Sequence, residues 1–364
     1  HIMKSINIGL IGCGRIAGHH CRAIIKNENI NLVAVCDLDI KKAQKYADKY
    51  DINAYTNYKE MLSSEGLIDT VAIITPSGMH YNHAKDIINN YKKNIIVEKP
   101  TFLKTSHFDE ILKLAKENDV EIFPIFQNRH NLAVQRVKNS ILNGELGKVN
   151  LISVRVRWCR PQKYYDLAPW RGTFSMDGGC LTNQGIHHLD LMRYLGGEIV
   201  NVYATMRTFE VDIEVEDSVV GSVRYKNGSI GTLEVTTAAR PDDFEASISI
   251  VGSKGLAQIG GIAVNELQIF TPNPKECSQY SEDFSGCVYG NGHYVIYDEI
   301  NNHFNNNVNF SVDNLDAIKT VHLLNAFYKS NEENKAIEMS DDNYFDSQLL
   351  GKKDSKLEEL YTVK

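Results

Sequence analysis

Along the first 125 residues, short apolar runs rich in Ile and Val alternate with longer stretches whose apolar positions recur at helical spacing. The runs are SINIGLI (5–11), NLVAVC (31–36), IDTVAIITP (68–76), NIIVEKP (94–100) and VEIFPIF (120–126). The stretches between them are RIAGHHCRAIIKN, DIKKAQKYADKY, MHYNHAKDIINNY and SHFDEILKLAKEND. Strand and helix in turn, repeated along the chain, predict an α/β fold with a doubly wound parallel sheet. Further on the period changes. KVNLISVRVRW, SVVGSVRY, SIGTLEVTT and ASISIVGS alternate residue by residue, as half-buried strands do, and Asn227-Gly228 marks a turn between two of them. SVDNLDAIKTVHLLNAFYKSNEEN reads as an amphipathic helix, and the charged final stretch as a loosely held tail.

A chain of 364 residues suits two domains, and 43% hydrophobic content is enough to fill a sizeable core. The net charge of −7 argues against nucleic-acid binding, where a basic stripe is expected. No apolar run is long enough to span a bilayer, so no membrane partner is expected. His1 and Ile2 precede Met3 and are set aside as an added leader. Cysteines 13, 21, 36, 159, 180, 277 and 287 are odd in number and include no CxxC. With no signal peptide visible, they read as free thiols in the cytoplasm, and their spacing gives no metal site.

The first strand, turn and helix carry Gly12-x-Gly14-x-x-Ala17, the dinucleotide fingerprint. Gly12 permits the tight turn and Gly14 lets the backbone approach a pyrophosphate. Ala17 allows close helix–strand packing, and the helix N-terminus offers N–H groups to the phosphates. Asp37 ends the second strand, where its carboxylate can accept from the adenosine ribose hydroxyls. Asp39 can cap the following helix. With acids and no Arg or Lys beside Asp37, a 2′-phosphate is disfavoured, so the expected cofactor is NAD.

Two stretches hold candidate chemistry. Lys99, in Glu98-Lys99-Pro100, sits at the C-terminal end of a parallel strand, where open α/β sheets bind ligands; there it can help remove a hydroxyl proton. A surface pair with Glu98 is the alternative. In DGGCLTNQGIHHLDLMRYLGG, Asn183, His187 and Asp190 share one face if the segment is a single helix. His187 is then a proton acceptor, Asn183 holds a substrate hydroxyl and Asp190 orients the imidazole.

The segments GCGRIAGHH, TPSGMHYNHA, EKP and GGCLTNQGIHHLD resemble the Gfo/Idh/MocA oxidoreductases, and the resemblance runs from Ile6 to about Met339. It implies a Rossmann domain (3–125), an α+β substrate and oligomerisation domain (126–340) with a large open, mostly antiparallel sheet, and the tail (341–364). It implies that Lys99 and His187 face the substrate, without deciding which takes the proton. It adds Arg15, Ile16, Thr75, Pro76, His80, Glu98 and Asn128 to the cofactor-binding set of Gly12, Gly14 and Asp37. It further implies that one face of the open sheet packs on a partner in a homo-oligomer. The commonest family pattern has Asp where this chain has Asn183.

Between the first alternating strand and His187, the chain concentrates Arg155, Arg157, Trp158, Arg160, Tyr164, Tyr165, Trp170 and Arg171. Arginine forks suit carboxylates and phosphates, and aromatic rings suit sugar and base faces. Tyr289, Gly290, Gly292 and His293 read as a Gly-rich loop able to approach a ligand. With Asn183, these stretches resemble the branch that oxidises the 3-hydroxyl of UDP-N-acetylglucosaminuronate. That resemblance implies substrate contacts from Arg157, Arg160, Tyr164, Tyr165, Trp170, Arg171, Asn183, Tyr289 and His293. The alternatives are coverage of a subunit contact by these residues, an inositol or free-aldose dehydrogenase, and a non-catalytic NAD-binding regulator.

Overall fold

The computed structural model describes residues 2–285 and 289–364; Cys287 lies outside the described residues. The first part of the chain contains β1 (Ile6–Ile11), α1 (Ala17–Lys26), β2 (Ile30–Cys36), α2 (Ile40–Tyr50), β3 (Asn53–Tyr55), α3 (Tyr58–Ser64), β4 (Thr70–Ile73), α4 (His80–Tyr91), β5 (Asn94–Val97), α5 (Thr105–Glu117) and β6 (Ile122–Pro124). There follow α6 (Leu132–Leu142), β7 (Val149–Arg157), α7 (Gln162–Tyr165), α8 (Cys180–Asn183) and α9 (Ile186–Gly196). Strands β8 (Ile199–Arg207), β9 (Ser218–Tyr225), β10 (Ile230–Thr236), β11 (Glu245–Gly252), β12 (Leu256–Gly260) and β13 (Glu266–Phe270) come next. The chain closes with α10 (Gly292–Asn306), α11 (Asn314–Glu333), β14 (Ile337–Glu338) and α12 (Ser355–Tyr361).

The chain forms two compact units. The first, residues 1–125 with 293–318 and 353–364, holds a six-stranded sheet in the order β3-β2-β1-β4-β5-β6, parallel throughout. That is the doubly wound order, with its switch point between β1 and β4. The strands are buried along nearly their whole length because helices cover both faces, which is why they read as continuous apolar runs rather than alternating ones. The short β3 was invisible in the sequence pattern because Asn-Ala-Tyr carries no apolar run.

The second unit, residues 126–292 with 319–352, holds an eight-stranded sheet ordered β13-β12-β11-β7-β10-β9-β8-β14. All its pairings are antiparallel except β7 with β10. One face buries Ile152, Val154, Val156, Val219, Val223, Leu233, Val235, Ile248 and Ile250. The opposite face carries Arg155, Arg157, Glu234 and Glu245, as period-two alternation requires. Helix α9 lies against the buried face: a side chain at Gly196 would run into Ile152 and the Tyr225 ring.

The segments 293–318 and 353–364 depart from the expected division, since both fold with the first unit. Ile296, Tyr297 and Ile300 of α10 are buried in the core formed by Ile6, Ile8, Leu10 and Ile24. The final stretch is not a loose tail: Asp354 caps α12 through the Leu357 amide, and Asn82 donates to Glu358. Helix α11, expected to be amphipathic, is instead buried all round over residues 321–328, which include Val321, Leu323, Leu324, Ala326, Phe327 and Tyr328. No helix among the described residues is long and apolar enough to cross a membrane. Because Ile300 is fully buried in the first unit's core, Ile300→Ala should cost about 2–5 kcal/mol, read as a lowered urea midpoint. An unchanged midpoint would detach α10 from that core.

Candidate active site

In the first unit, the glycine turn sits between β1 and α1 at the switch point. Gly12 has φ +94°, and a Cβ there would lie 2.4 Å from the Ile74 carbonyl oxygen, so only glycine fits. A Cβ at Gly14 would meet nothing within 4 Å, which leaves the backbone approachable. The amides of Gly14, Arg15 and Ile16 donate to no acceptor among the described residues. Asp37 accepts from the Cys13 amide through Oδ2 and from the Asp39 amide through Oδ1, both at 2.8 Å. Asp39 itself caps α2 by accepting from the Lys41 amide. The switch-point turn therefore presents N–H groups and a carboxylate side by side, the donor set a dinucleotide needs.

Two loops flank that turn. In Thr75-Pro76, the Thr75 hydroxyl bonds His83 Nδ1 at 2.9 Å. The ring nitrogens of buried His80 lie 2.8 Å from the Thr101 carbonyl oxygen and 3.0 Å from that of Thr75, so His80 ties this loop to the one after β5. In the second loop Lys99 is partly exposed and Glu98 is buried. Glu98, expected to line the cofactor cleft, is held by protein donors. Its Oε1 accepts from His20 Nε2 and His293 Nε2, each at 2.8 Å, and its Oε2 accepts from the Lys99 amide at 2.9 Å. Burial by itself would raise the Glu98 pKa, but the bonds from His20 and His293 outweigh it and hold the carboxyl well below its usual range. Both imidazoles aim at one carboxylate oxygen, the geometry of hydrogen bonding onto an anion.

His293 thus corrects an expectation. It is fully buried on α10, not in a ligand-facing loop, because its ring is committed to Glu98 and packs edge-on against His19 and His20. Tyr289 is partly buried beside the undescribed residues 286–288, and Gly290 takes φ +64°.

In the second unit, Gly178 and Gly179 open the segment that carries Asn183 and His187. These two do not share a helix: the chain breaks at Gln184-Gly185, placing Asn183 on α8 and His187 on α9. The Asn183 amide nitrogen donates to Asp177 Oδ1 at 2.6 Å, and Asp177 Oδ2 accepts from the Gly172 amide. Asp190 does not orient His187. It forms a buried two-pronged pair with Arg129, both bonds 2.7 Å, and accepts from Thr320. His187 is buried with its ring edge-on to Phe126; His188 packs on Trp158, and burial lowers its pKa to about 4. Asn128 is buried in the short turn 127–130 of this unit.

The arginine-rich stretch divides in two. Arg155, Arg157 and Arg160 pair with Glu245, Glu234 and Asp243, so Arg157 and Arg160 have carboxylate partners within the chain rather than waiting for a substrate anion. Strand register brings the first two within reach: Arg155 lies opposite Glu234 and Arg157 opposite Glu245, and each arginine pairs with the acid diagonal to it. Arg171 differs. It donates to the Tyr164 hydroxyl at 2.7 Å, stacks over the Tyr164 and Trp170 rings, and has no carboxylate partner among the described residues. Its buried Nε has no acceptor among the described residues. Gln184 also donates to the Tyr164 hydroxyl, whereas Tyr165 is buried with its hydroxyl on Thr237.

Residues 6–126 match the family model for oxidoreductases with an NAD-binding Rossmann fold, and residues 134–258 match the GFO/IDH/MocA C-terminal domain. A solved dehydrogenase of Bordetella pertussis, WlbA, is 32% identical, with a TM-score of 0.88 over 93% of this chain and 98% of its own; it was crystallised with NADH and UDP-GlcNAcA. The chain belongs to the Gfo/Idh/MocA family. The WlbA dehydrogenase of Chromobacterium violaceum, with the same two ligands, is 31% identical with a TM-score of 0.86, covering 93% of this chain and 96% of its own. The myo-inositol 2-dehydrogenase of Thermotoga maritima is 24% identical over 77% of this chain and 79% of its own length. As a member of this family, the protein is an oxidoreductase with an NAD-binding domain, and the Gly12–Asp37 turn fits that cofactor.

Sequence reasoning missed one support of the Gly178–Asn183 turn. Glu216 is buried, accepts from the Tyr328 hydroxyl at 3.0 Å, and packs against Gly179, where a Cβ would lie about 2 Å from its carboxylate oxygens. Tyr328 in turn accepts from the Gly179 amide. Burial raises the Glu216 pKa from 4.5 to about 8. A folded-state value above the unfolded one means that its stabilising share is whole below about 4.5 and is lost as pH rises through about 8. Thermal midpoints measured from pH 5 to 9 should therefore fall more steeply in the wild type than in Glu216→Gln, which cannot ionise; equal slopes would refute the assignment. Gly12→Ala should weaken NAD binding at least tenfold by calorimetry, and an unchanged Kd would remove the turn from the cofactor site.

Proposed function

We propose that this protein oxidises the 3-hydroxyl of a nucleotide-sugar acid, UDP-N-acetylglucosaminuronate, to the 3-keto sugar with NAD, in surface-polysaccharide biosynthesis. The observation that carries this reading is Arg171. A guanidinium held between two aromatic rings, with a buried N–H unmatched by any carboxylate, suits an anionic ligand with a flat sugar or base face. A free polyol has no charge to place there. The ligand of the two WlbA dehydrogenases supports the same chemistry.

The bound NAD supplies the hydride acceptor for the sugar C3–H. The hydroxyl proton leaves separately, so the chain must provide a base, and Lys99 or His187 takes it. Asn183, fixed by its bond to Asp177, orients a sugar hydroxyl. Tyr164 and Trp170 pack on the ligand, and the mixed polar and apolar outer face of the second unit's sheet packs on a second copy of the chain.

The test offers the purified protein NAD with UDP-N-acetylglucosaminuronate, UDP-N-acetylglucosamine or myo-inositol, and follows absorbance at the NADH band. Turnover is expected with the uronate and at least a hundredfold lower kcat/KM with the other two. Arg171→Met should raise the KM for the uronate at least tenfold and leave the Kd for NAD within threefold. Activity confined to myo-inositol would reject the proposal in favour of the polyol reading.

A further inference from the structure

The buried cluster on Glu98 has a protonation pattern that its surroundings dictate. His20 Nε2 donates to Glu98, and its Nδ1 lies 2.7 Å from the Tyr297 hydroxyl. If Nδ1 also carried a proton, that hydroxyl would have to accept it and find another acceptor for its own. No such acceptor is present among the described residues, so Tyr297 donates to Nδ1 and His20 is neutral. His293 Nδ1 has no partner among the described residues, so a proton there would be buried without an acceptor. Its neutral Nε2–H form is the one that fits. Glu98 is then a buried anion solvated by two neutral N–H donors and by the amide of Lys99.

That anion sits in a loop which does not hold its shape unaided. Thr101, fully buried and β-branched, has φ +68°, a conformation that costs of order 1–3 kcal/mol and persists only where neighbours over-determine it. The neighbours are identifiable. Thr101 donates its amide to the Glu98 carbonyl at 3.0 Å, and His80 holds the Thr101 carbonyl from the other side. Glu98 is thus clamped at one end of the loop and Thr101 at the other, with Lys99 between them.

We infer that His20, His293 and Tyr297 are positioning residues for Lys99: through Glu98 they fix the backbone from which the lysine side chain extends. The inference rests on the proposed role of Lys99, because a loop held this firmly is of use to the reaction only if Lys99 takes part in it. It assigns a function to a histidine 195 residues downstream of Glu98 in the chain.

Three variants of the full-length protein test it. His293→Leu removes one donor, His293→Gln keeps an N–H near the position of Nε2, and Tyr297→Phe releases the His20 tautomer. Deuterium exchange of amides 98–103 should accelerate at least tenfold in His293→Leu and Tyr297→Phe and stay within threefold of wild type in His293→Gln. With UDP-N-acetylglucosaminuronate and NAD, kcat should fall at least tenfold in the first two, with KM and the Kd for NAD changed less than threefold, and recover in His293→Gln. Wild-type exchange in both His293→Leu and Tyr297→Phe overturns the inference, as does equal damage in Leu and Gln. If His293→Leu does not fold, Tyr297→Phe carries the test alone. Lys99→Ala separates the two claims. If it retains turnover while the exchange pattern holds, the role of Lys99 fails and the clamp stands; if it abolishes turnover while exchange in the histidine and tyrosine variants is unchanged, the clamp fails and Lys99 stands.

Discussion

An anion buried in protein is tolerated only where hydrogen bonds replace its lost hydration, and Glu98 is such an anion. The replacements come from far apart in the chain: His20 from α1, His293 from α10 and the amide of Lys99 beside it. Removing one donor leaves the charge under-solvated, so the cluster acts as a unit. Its position explains why it matters. Glu98 directly follows β5, the strand beside β4, and the next residue is the lysine proposed to take part in proton transfer. A buried anion and a candidate catalytic group thus share one peptide bond.

The second unit solves a related problem with different chemistry. The turn at Gly178–Asn183 also rests on a buried acid, but Glu216 is kept neutral by burial near pH 7, whereas Glu98 is kept charged by its partners. A protonated Glu216 needs no counter-charge, and its main partner is the Tyr328 hydroxyl, which also accepts from Gly179. The same environment explains Gly179, since any side chain there would collide with the carboxyl group. Asp190, also buried, is neutralised by Arg129 through two short bonds.

Much of the fold was legible in the sequence because its signals are local. The apolar runs of β1, β2, β4, β5 and β6, the Gly12 turn and the Asp39 cap follow from neighbours within a few residues, and so does the alternation of β7, β9, β10 and β11. What stayed hidden depends on partners distant in sequence. The GNGH stretch reads as a loop because of its glycines, yet Gly292 and His293 begin α10, and the role of His293 is set by Glu98. Arg157 and Arg160 read as anion receptors until strand register and chain path set them beside Glu234 and Asp243. Asn183, His187 and Asp190 read as one helical face, but Gly185 divides the segment and Arg129 claims Asp190. In each case what remained unreadable was the partner.

The protonation state of the two imidazoles on Glu98 bears on this account more directly than any other property. Long-range nitrogen–proton correlation spectra of protein labelled with ¹⁵N at histidine, recorded at neutral pH, would assign both rings. His20 and His293 are each expected to carry a proton on Nε2 and none on Nδ1. An imidazolium signal from either ring, or a proton on Nδ1 alone, would contradict that assignment.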